Sequence, residues 1–188
     1  MTKNTIPKNK PALIVVDVQA SFPARPYYVA DDVPAFLIAQ NKLINGFIHA
    51  GAPVVRVFHM EESGSFSLAS GLVRPFDGLM DFVPAYTVEK RSHSAFTGTP
   101  LAAWLISQGI TRVTVCGIRT EQCCETTTRD ASERGYLVDY VTEATLTFPM
   151  THANGRVFSA AEIRERTELV LANRFATIVS VDEALARI

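Results

Sequence analysis

The sequence predicts an α/β fold in which a mostly parallel β-sheet of about five or six strands carries helices on both faces, a three-layer αβα, Rossmann-like arrangement. Two observations predict it. Short apolar segments alternate with segments of helical periodicity along the chain, and strands that alternate with helices form parallel sheets covered on both faces. The segments ALIVV and RVTVCG are also almost continuously apolar, which is typical of strands buried on both sides.

The first half of the chain has two apolar segments on either side of a segment with helical periodicity. That helix has Pro34 in its first turn, where proline is tolerated, and Gly51 where a C-terminal cap is expected. A stretch rich in glycine and proline follows and predicts a long surface loop, which in compact domains is usually functional or mobile. The elements predicted here are a strand at Ala12–Val18, a helix at Asp31–Gly51, a strand at Pro53–His59, a loop at Met60–Pro84 and a short strand at Thr87–Arg91.

The second half continues the alternation with clearer start and stop signals. Pro100 and Gly109 suit the two ends of one helix, and Thr120 is a good N-cap for the next. Ser159 and Glu162 form a capping-box pattern ahead of a third helix. The elements predicted here are a helix at Thr99–Gly109, a strand at Arg112–Gly117, a helix at Thr120–Arg134, a strand at Tyr136–Thr142, a helix from Ser159 to about Asn173, a strand at Phe175–Val181 and a helix at Asp182–Ile188.

Composition sets limits on the class of protein. The 188 residues suit one domain, which we expect to span 1–188. A net charge of −1 leaves no basic surface for nucleic acid or an anionic membrane. The first apolar run is too short for a signal peptide or a membrane span, so a cytoplasmic protein is expected. Three cysteines, two of them adjacent, cannot form a disulfide framework, and no Cys/His group has zinc spacing.

Polar residues follow the ends of four predicted strands, which is where open parallel sheets bind ligands. They are Asp17, His59, Lys90 and the segment 117–123. A carboxylate at Asp17 needs a partner or a function because an unpaired buried charge is costly, although it could instead cap the following turn. A single lysine such as Lys90 is usually solvated, and the residues alone leave these alternatives open.

Cys123 occupies the third position of the helix that Thr120 begins. Free backbone amides and the positive end of the helix dipole stabilise a thiolate at such a position, which predicts a lowered pKa. The alternative is a small buried apolar residue, the usual environment of cysteine. We expect that environment for Cys116, inside a strand, and for Cys124, about 100° further around the helix.

Three motifs together resemble those of the isochorismatase-like (cysteine hydrolase) superfamily. The first is IVVDVQ, which contains Asp17 and is followed by Phe22. The second is EKRSHSAFTGTPL, which contains Lys90. The third is GIRTEQCCETTTRDASERGY, with Cys123 three residues after a threonine at a helix start. The order and spacing of the motifs also match, and the resemblance covers about residues 11–182.

The resemblance implies a three-layer αβα fold and a catalytic triad of Asp17, Lys90 and Cys123. It also implies an oxyanion hole formed by the backbone N–H groups of Arg119 and Cys123, and a cis peptide between Ile118 and Arg119. The superfamily contains amidases and ureido-type hydrolases that cleave C–N bonds. It also contains isochorismatases that cleave a vinyl ether and characteristically lack the cysteine. Cys123 therefore favours amide-type chemistry.

The sequence departs from the superfamily pattern at three places. Position 124 is cysteine where valine is common, and position 119 is arginine where a small residue is common. Nicotinamidases hold a metal through an aspartate and several histidines that begin with a D-x-H pattern after the second strand. Here that pattern reads Val57-Phe58-His59, so we expect no metal and do not expect nicotinamide as the substrate. No organic cofactor is expected, and no phosphate-binding glycine loop is present.

Several residues are candidates for the substrate pocket. Besides the triad, we expect its walls to include Phe22, His59, His93, Arg119 and Phe148. Tyr27 and Met150 are further candidates for apolar walls, and His152 for a substrate contact, whereas His49 is expected at the surface. A buried Arg119 needs an anionic partner, which could be Glu121 or Glu125. Alternatively, Arg119 faces the pocket and binds a substrate carboxylate.

The sequence thus predicts a hydrolase that cleaves an amide, ureide or carbamoyl bond of a small molecule through a thioester on Cys123. One alternative is a metal-free vinyl ether hydrolase with Asp17 as general acid. Another is a thiol redox or binding protein that uses Cys123 and Cys124, although a disulfide between adjacent cysteines is strained. The resemblance further implies a homodimer or homotetramer.

Overall fold

The computed structural model describes residues 10–188, and its centre is a six-stranded, entirely parallel sheet. The strand order is β3-β2-β1-β4-β5-β8. The chain therefore builds one half of the sheet outward from β1, then returns to build the other half from β4. The strands are β1 Pro11–Val16, β2 Val54–His59, β3 Tyr86–Lys90, β4 Arg112–Ile118, β5 Leu137–Leu146 and β8 Thr177–Ile178.

Five helices cover the two faces of the sheet and confirm the predicted three-layer α/β fold. Alternate residues of β1 belong to two separate apolar cores, since Leu13 and Val15 pack on one face and Ile14 and Val16 on the other. The first core contains residues of α1 and α5, and the second contains residues of α2, α3 and α4. The helices are α1 Val33–His49, α2 Leu101–Ser107, α3 Glu125–Glu133, α4 Ala160–Leu171 and α5 Val181–Leu185.

The predicted capping box holds in the structure, but the predicted N-cap at Thr120 is wrong, because Arg119 occupies the cap position and no side chain caps the turn that follows. Ser159 and Glu162 form the capping box of α4, in which each side chain bonds the other residue's backbone N–H. A second capping box, Ser180 with Glu183, begins α5. The long loop between β2 and β3 contains only two short 3₁₀ turns, Gly64–Phe66 and Leu68–Ser70. None of the helices among residues 10–188 is long and apolar enough to span a bilayer.

Four local features differ from the prediction. The first strand ends at Val16 rather than Val18, because Asp17 turns the backbone into the left-handed region with φ of 51°. Strand β5 runs on to Leu146, past a register shift opposite Val115–Gly117 in β4. The last strand is only two residues long. A small antiparallel hairpin, β6 Met150–Thr151 with β7 Val157–Phe158, was not predicted.

Candidate active site

The site lies at the carboxyl ends of β1 and β4, where the strand order reverses. Such switch points create the crevice in which open α/β sheets bind ligands. Asp17 follows β1 directly and is completely buried. Its backbone N–H donates to Val57 O at 3.0 Å, which ties the turn to β2. A non-glycine residue at positive φ is strained and often functional, and here the turn carries the Asp17 carboxylate into the crevice.

Lys90 is the last residue of β3, and its buried ammonium lies beside Asp17. The Nζ–Oδ2 distance is 2.7 Å, and neither side chain is more than 1% exposed. Nζ also donates to Cys123 Sγ at 3.3 Å and to Ser92 O at 3.1 Å. Burial lowers the pKa of Lys90, but the attraction of Asp17 and Cys123 outweighs burial and raises it overall. Lys90 is therefore a fixed positive charge.

Cys123 lies in a single π-helical turn, Thr120–Cys124, which precedes α3. The sequence predicted an α-helix here. The turn follows the cis peptide Ile118–Arg119, at the place where the resemblance implied one. Gly117 begins this segment with φ of 130°, and a Cβ there would lie 1.9 Å from Val16 O. Only glycine allows β4 to approach β1 this closely, so Gly117 sets the path that delivers Cys123 to the crevice.

The predicted lowering of the Cys123 pKa is wrong for this resting structure. Burial, followed by the charge of Asp17, raises the pKa of Cys123 to about 12, although the charge of Lys90 opposes this rise. The helix-dipole argument failed because it treated the thiol as exposed, whereas Cys123 is 8% exposed. The resting group is a thiol, and the charge of the neighbouring Asp17 opposes its ionisation. Apart from the ion pair with Lys90, the Asp17 oxygens lack a hydrogen-bond partner among residues 10–188, so Asp17 can accept the thiol proton.

Two histidines flank the Lys90–Cys123 contact. His59 Nδ1 lies 3.2 Å from Lys90 Nζ, and His59 Nε2 lies 3.7 Å from Glu61 Oε1. Burial, followed by the positive charge of Lys90, lowers the pKa of His59, so this ring is neutral and accepts from the ammonium. His93 Nδ1 is 3.8 Å from Cys123 Sγ, and its ring stacks on His59 with 6.5 Å between centroids.

Gln19 is a positioning residue that the sequence analysis did not identify. Its completely buried side chain accepts from His59 N at 2.8 Å and donates to His59 O at 3.1 Å. A second donation at 2.8 Å reaches Ser21 Oγ. Gln19 thereby joins the turn after β1 to the end of β2. Its position two residues after Asp17, at the end of the IVVDVQ motif, was the available signal.

The three predicted triad residues meet at a cavity of about 200 Å³. Asp17 and Cys123 line it, as do the predicted pocket residues Phe22, His59, His93 and Arg119. Five more residues complete the wall. Tyr27 was considered as an apolar wall, whereas Arg25, Glu61, Phe66 and Gln122 were not predicted. All five lie in segments that follow strand ends, and their side-chain directions depend on loop conformations that sequence patterns do not specify.

Comparisons with known proteins place this arrangement in a family. The sequence model of the isochorismatase domain matches residues 11–183, a span that includes the whole cavity wall. This chain belongs to the isochorismatase family. It is therefore an isochorismatase-like hydrolase, as predicted.

Individual relatives agree with that assignment. The chain is 28% identical over 190 residues to YrdC, an uncharacterized isochorismatase family protein of Bacillus subtilis, covering 95% of this chain and 96% of the relative. It is 38% identical over 100 residues to nicotinamidase 3 of Arabidopsis thaliana, which is 53% of this chain and 45% of that protein. A crystal structure of a protein assigned to the isochorismatases from Burkholderia xenovorans LB400 superposes with a TM-score of 0.87 at 33% identity, covering 95% of this chain and 87% of that one.

Within the isochorismatase fold, two residues that were predicted to form the pocket wall, Phe148 and Arg119, make contacts outside the cavity. Phe148 does not line the cavity. It is completely buried and packs behind the wall, with its ring centroid 5.5 Å from that of Tyr27 and 6.3 Å from that of Phe22. Arg119 lines the cavity but also forms an ion pair with Glu121 at 3.0 Å, which is one of the two anionic partners considered above. Thr147 donates to the other oxygen of Glu121 at 2.5 Å.

The remaining histidines and cysteines lie away from the cavity. His49 is exposed at the end of α1, as expected. His152 lies beside the β6–β7 hairpin and lines a separate open groove with Met150. Cys116 and Cys124 are completely buried in the two cores. In the described part of the chain no three His, Cys, Asp or Glu side chains are grouped so that they could hold a metal. The metal-free, cofactor-free enzyme stays a prediction.

Proposed function

We propose that this isochorismatase-family protein is a cysteine-dependent amidohydrolase that cleaves a C–N bond of a small amide, ureide or carbamoyl compound. The observation that carries the proposal is the position of Cys123 Sγ, which faces the cavity and lies 3.3 Å from the Lys90 Nζ that is also paired with the buried carboxylate of Asp17. Similarity to nicotinamidase 3, an amidase by name, supports this bond class. A cavity of about 200 Å³ is smaller than pockets for drug-sized ligands, which are roughly 300–1,000 Å³.

The first half-reaction forms a thioester. Asp17 accepts the Cys123 proton as the sulfur attacks the carbonyl carbon, so thiolate forms only during attack and is never a stable resting species. Lys90 keeps Asp17 and the sulfur together by its charge. The backbone N–H groups of Arg119 and Cys123 are the proposed donors to the oxyanion, and loss of one such donor costs about 10²–10³ in rate. Asp17 then passes its proton to the leaving nitrogen, and the C–N bond breaks.

The second half-reaction releases the acid. Asp17 takes a proton from a water molecule as the water oxygen attacks the thioester carbon. The C–S bond breaks, and the sulfur recovers a proton from Asp17. The products are an amine or ammonia together with a carboxylic acid from an amide, or with a carbamic acid from a ureide or carbamoyl compound, and the enzyme returns to its starting protonation state. No step draws on a group outside the chain and its substrate.

A panel of small amides, ureides and carbamates, scored for ammonia release, tests the proposal. The chain offers a matched pair of variants, because Cys123 and Cys124 are adjacent and both buried. Cys123→Ala should abolish ammonia release, whereas Cys124→Ala should keep most of it. A vinyl ether hydrolase with Asp17 as general acid would keep its activity in Cys123→Ala. The proposal would be contradicted if the wild type released ammonia from none of the compounds. It would also be contradicted if Cys123→Ala remained active.

A further inference from the structure

Arg25 differs from the other two cations at the site, Lys90 behind the cavity and Arg119 in its wall, because it has no anionic partner. Lys90 is engaged by Asp17, and Arg119 by Glu121. The partly buried Arg25 guanidinium also lines the cavity, but no carboxylate of residues 10–188 lies within ion-pair distance of it. Its Nε is buried and makes no hydrogen bond within the described chain.

Aromatic rings hold Arg25 in place without satisfying its donors. The guanidinium carbon lies 5.6 Å from the centroid of Tyr27 and 5.9 Å from that of Phe66. Rings of this kind attract the cation through their faces, but they accept none of the hydrogen bonds that lie in the guanidinium plane. The in-plane N–H groups therefore remain available, and the ring contacts restrict where they can point.

Neither acidic residue of the cavity wall supplies the missing anion. Glu61 lies 3.7 Å from His59 Nε2 and forms no ion pair with Arg25. Asp17 is paired with Lys90 at 2.7 Å on the floor of the cavity. The cavity thus has a buried acid that Lys90 neutralises, and in its wall a guanidinium that forms no ion pair. A planar guanidinium with free donors is the group best suited to a bidentate carboxylate.

We propose that Arg25 is a specificity-determining residue that receives a carboxylate of the substrate. This rests on the proposed function and narrows it, since the substrates would be small amides or ureides that carry a carboxylate. The Arg25 bond forms at a part of the substrate that does not react. It therefore contributes to binding and to the alignment of the scissile carbonyl with Cys123 Sγ.

Matched pairs of compounds test this inference. The probes are succinamate against its methyl ester, and N-carbamoylglycine against its methyl ester. Binding is measured by calorimetry to the Cys123→Ala variant, which needs no turnover, and kcat/KM is measured with the otherwise native enzyme. For at least one pair, we expect the acid to bind about 10- to 100-fold more tightly than the ester, the usual range for a charge-assisted pair. Arg25→Gln should abolish this ratio, and Arg25→Lys should keep part of it.

The control is Arg74→Gln, which removes an arginine that is ion-paired with Asp77 on the surface, outside the cavity. It should leave the ratio unchanged, and all variants should melt near the wild-type temperature. Absence of any acid-over-ester preference in the wild type, or an unchanged preference in Arg25→Gln, would overturn the role of Arg25. Either result would leave the amidohydrolase proposal standing if ammonia is still released. Conversely, if no compound is hydrolysed but the preference depends on Arg25, only the proposed reaction fails.

Discussion

Among single residues, Asp17 and Cys123 exchange one proton in the proposed reaction, beside the permanent charge of Lys90. Lys90 stays charged, the Cys123 pKa is about 12, and Asp17 has oxygens free to accept a proton. The raised pKa of Cys123 means that a base must remove its proton during attack. The reactivity of the Cys123 thiol therefore depends on Asp17 and Lys90 as well as on the cysteine itself.

Asp17→Asn should have opposite effects on catalysis and on alkylation of Cys123. Without the base, kcat/KM should fall by about 10²–10⁴. Burial is the largest cause of the raised Cys123 pKa, but the Asp17 charge adds to it, so removal of that charge lowers the pKa. The thiolate fraction at pH 8.5 then rises, and iodoacetamide should label Cys123 faster than in the wild type. Peptide mass mapping gives the labelling rate, and slower labelling in Asp17→Asn would show that the carboxylate does not oppose ionisation.

The sequence was informative about these residues to different degrees. Asp17, His59 and Lys90 could be selected because each ends an apolar strand, and the spacing of the three motifs grouped two of them with Cys123. The environment of the thiol could not be inferred, because burial depends on loops that close over the strand ends. Arg25 and Gln19 were missed for the same reason, since their importance lies in contacts with residues distant in the chain, such as Phe66 and His59.

At the scale of elements, the approach of β4 to β1 positions the site. The segments that bear Asp17 and Cys123 leave neighbouring strands whose residues pair from Pro11↔Arg112 to Val16↔Gly117. The apolar strands and capped helices were predictable from local patterns. The π turn and the hairpin β6–β7 were not, because periodicity over so few residues cannot distinguish them from an α-helix or a loop.

Gly117→Ala should therefore be far more damaging than an ordinary glycine substitution. The added Cβ would lie 1.9 Å from Val16 O at a φ of 130°, so the two strands would have to separate. We expect a loss of more than about 3 kcal/mol in the free energy of unfolding. Gly135→Ala is the matched control, since its φ is 87° and no atom lies within 4 Å of its new Cβ; it should lose about 1–2 kcal/mol. Urea denaturation compares them, and equal losses would refute the close-approach argument.

For the whole molecule, the partly buried, neutral His59 makes stability depend on pH. Burial and Lys90 lower the pKa of His59 below its ordinary value of about 6.5. At pH values between the folded-state pKa and about 6.5, the unfolded chain therefore binds a proton at this residue, whereas the native state does not. The contribution of neutral His59 to the free energy of unfolding is fully present above about pH 6.5. It decreases as the pH falls below that value.

His59→Gln should remove this part of the pH dependence. Between pH 6.5 and 5, the wild type should lose up to about 2 kcal/mol more than the variant, since one proton contributes at most about 1.4 kcal/mol per pH unit. His49→Gln, at an exposed position at the end of α1, serves as the control and should keep the wild-type slope. Urea denaturation at both pH values gives the comparison. Identical slopes in the wild type and His59→Gln would contradict a neutral, buried His59.

In the proposed reaction, Cys123 becomes acylated during turnover. The most direct measurement is mass spectrometry of the protein quenched in acid at intervals after mixing with a hydrolysed amide, followed by peptide mapping. The account predicts a mass increase equal to the acyl part of the substrate on the peptide that contains Cys123, and none on any peptide of Cys123→Ala. A substrate-derived mass on another side chain, or steady turnover with Cys123 unmodified at every quench time, would contradict it.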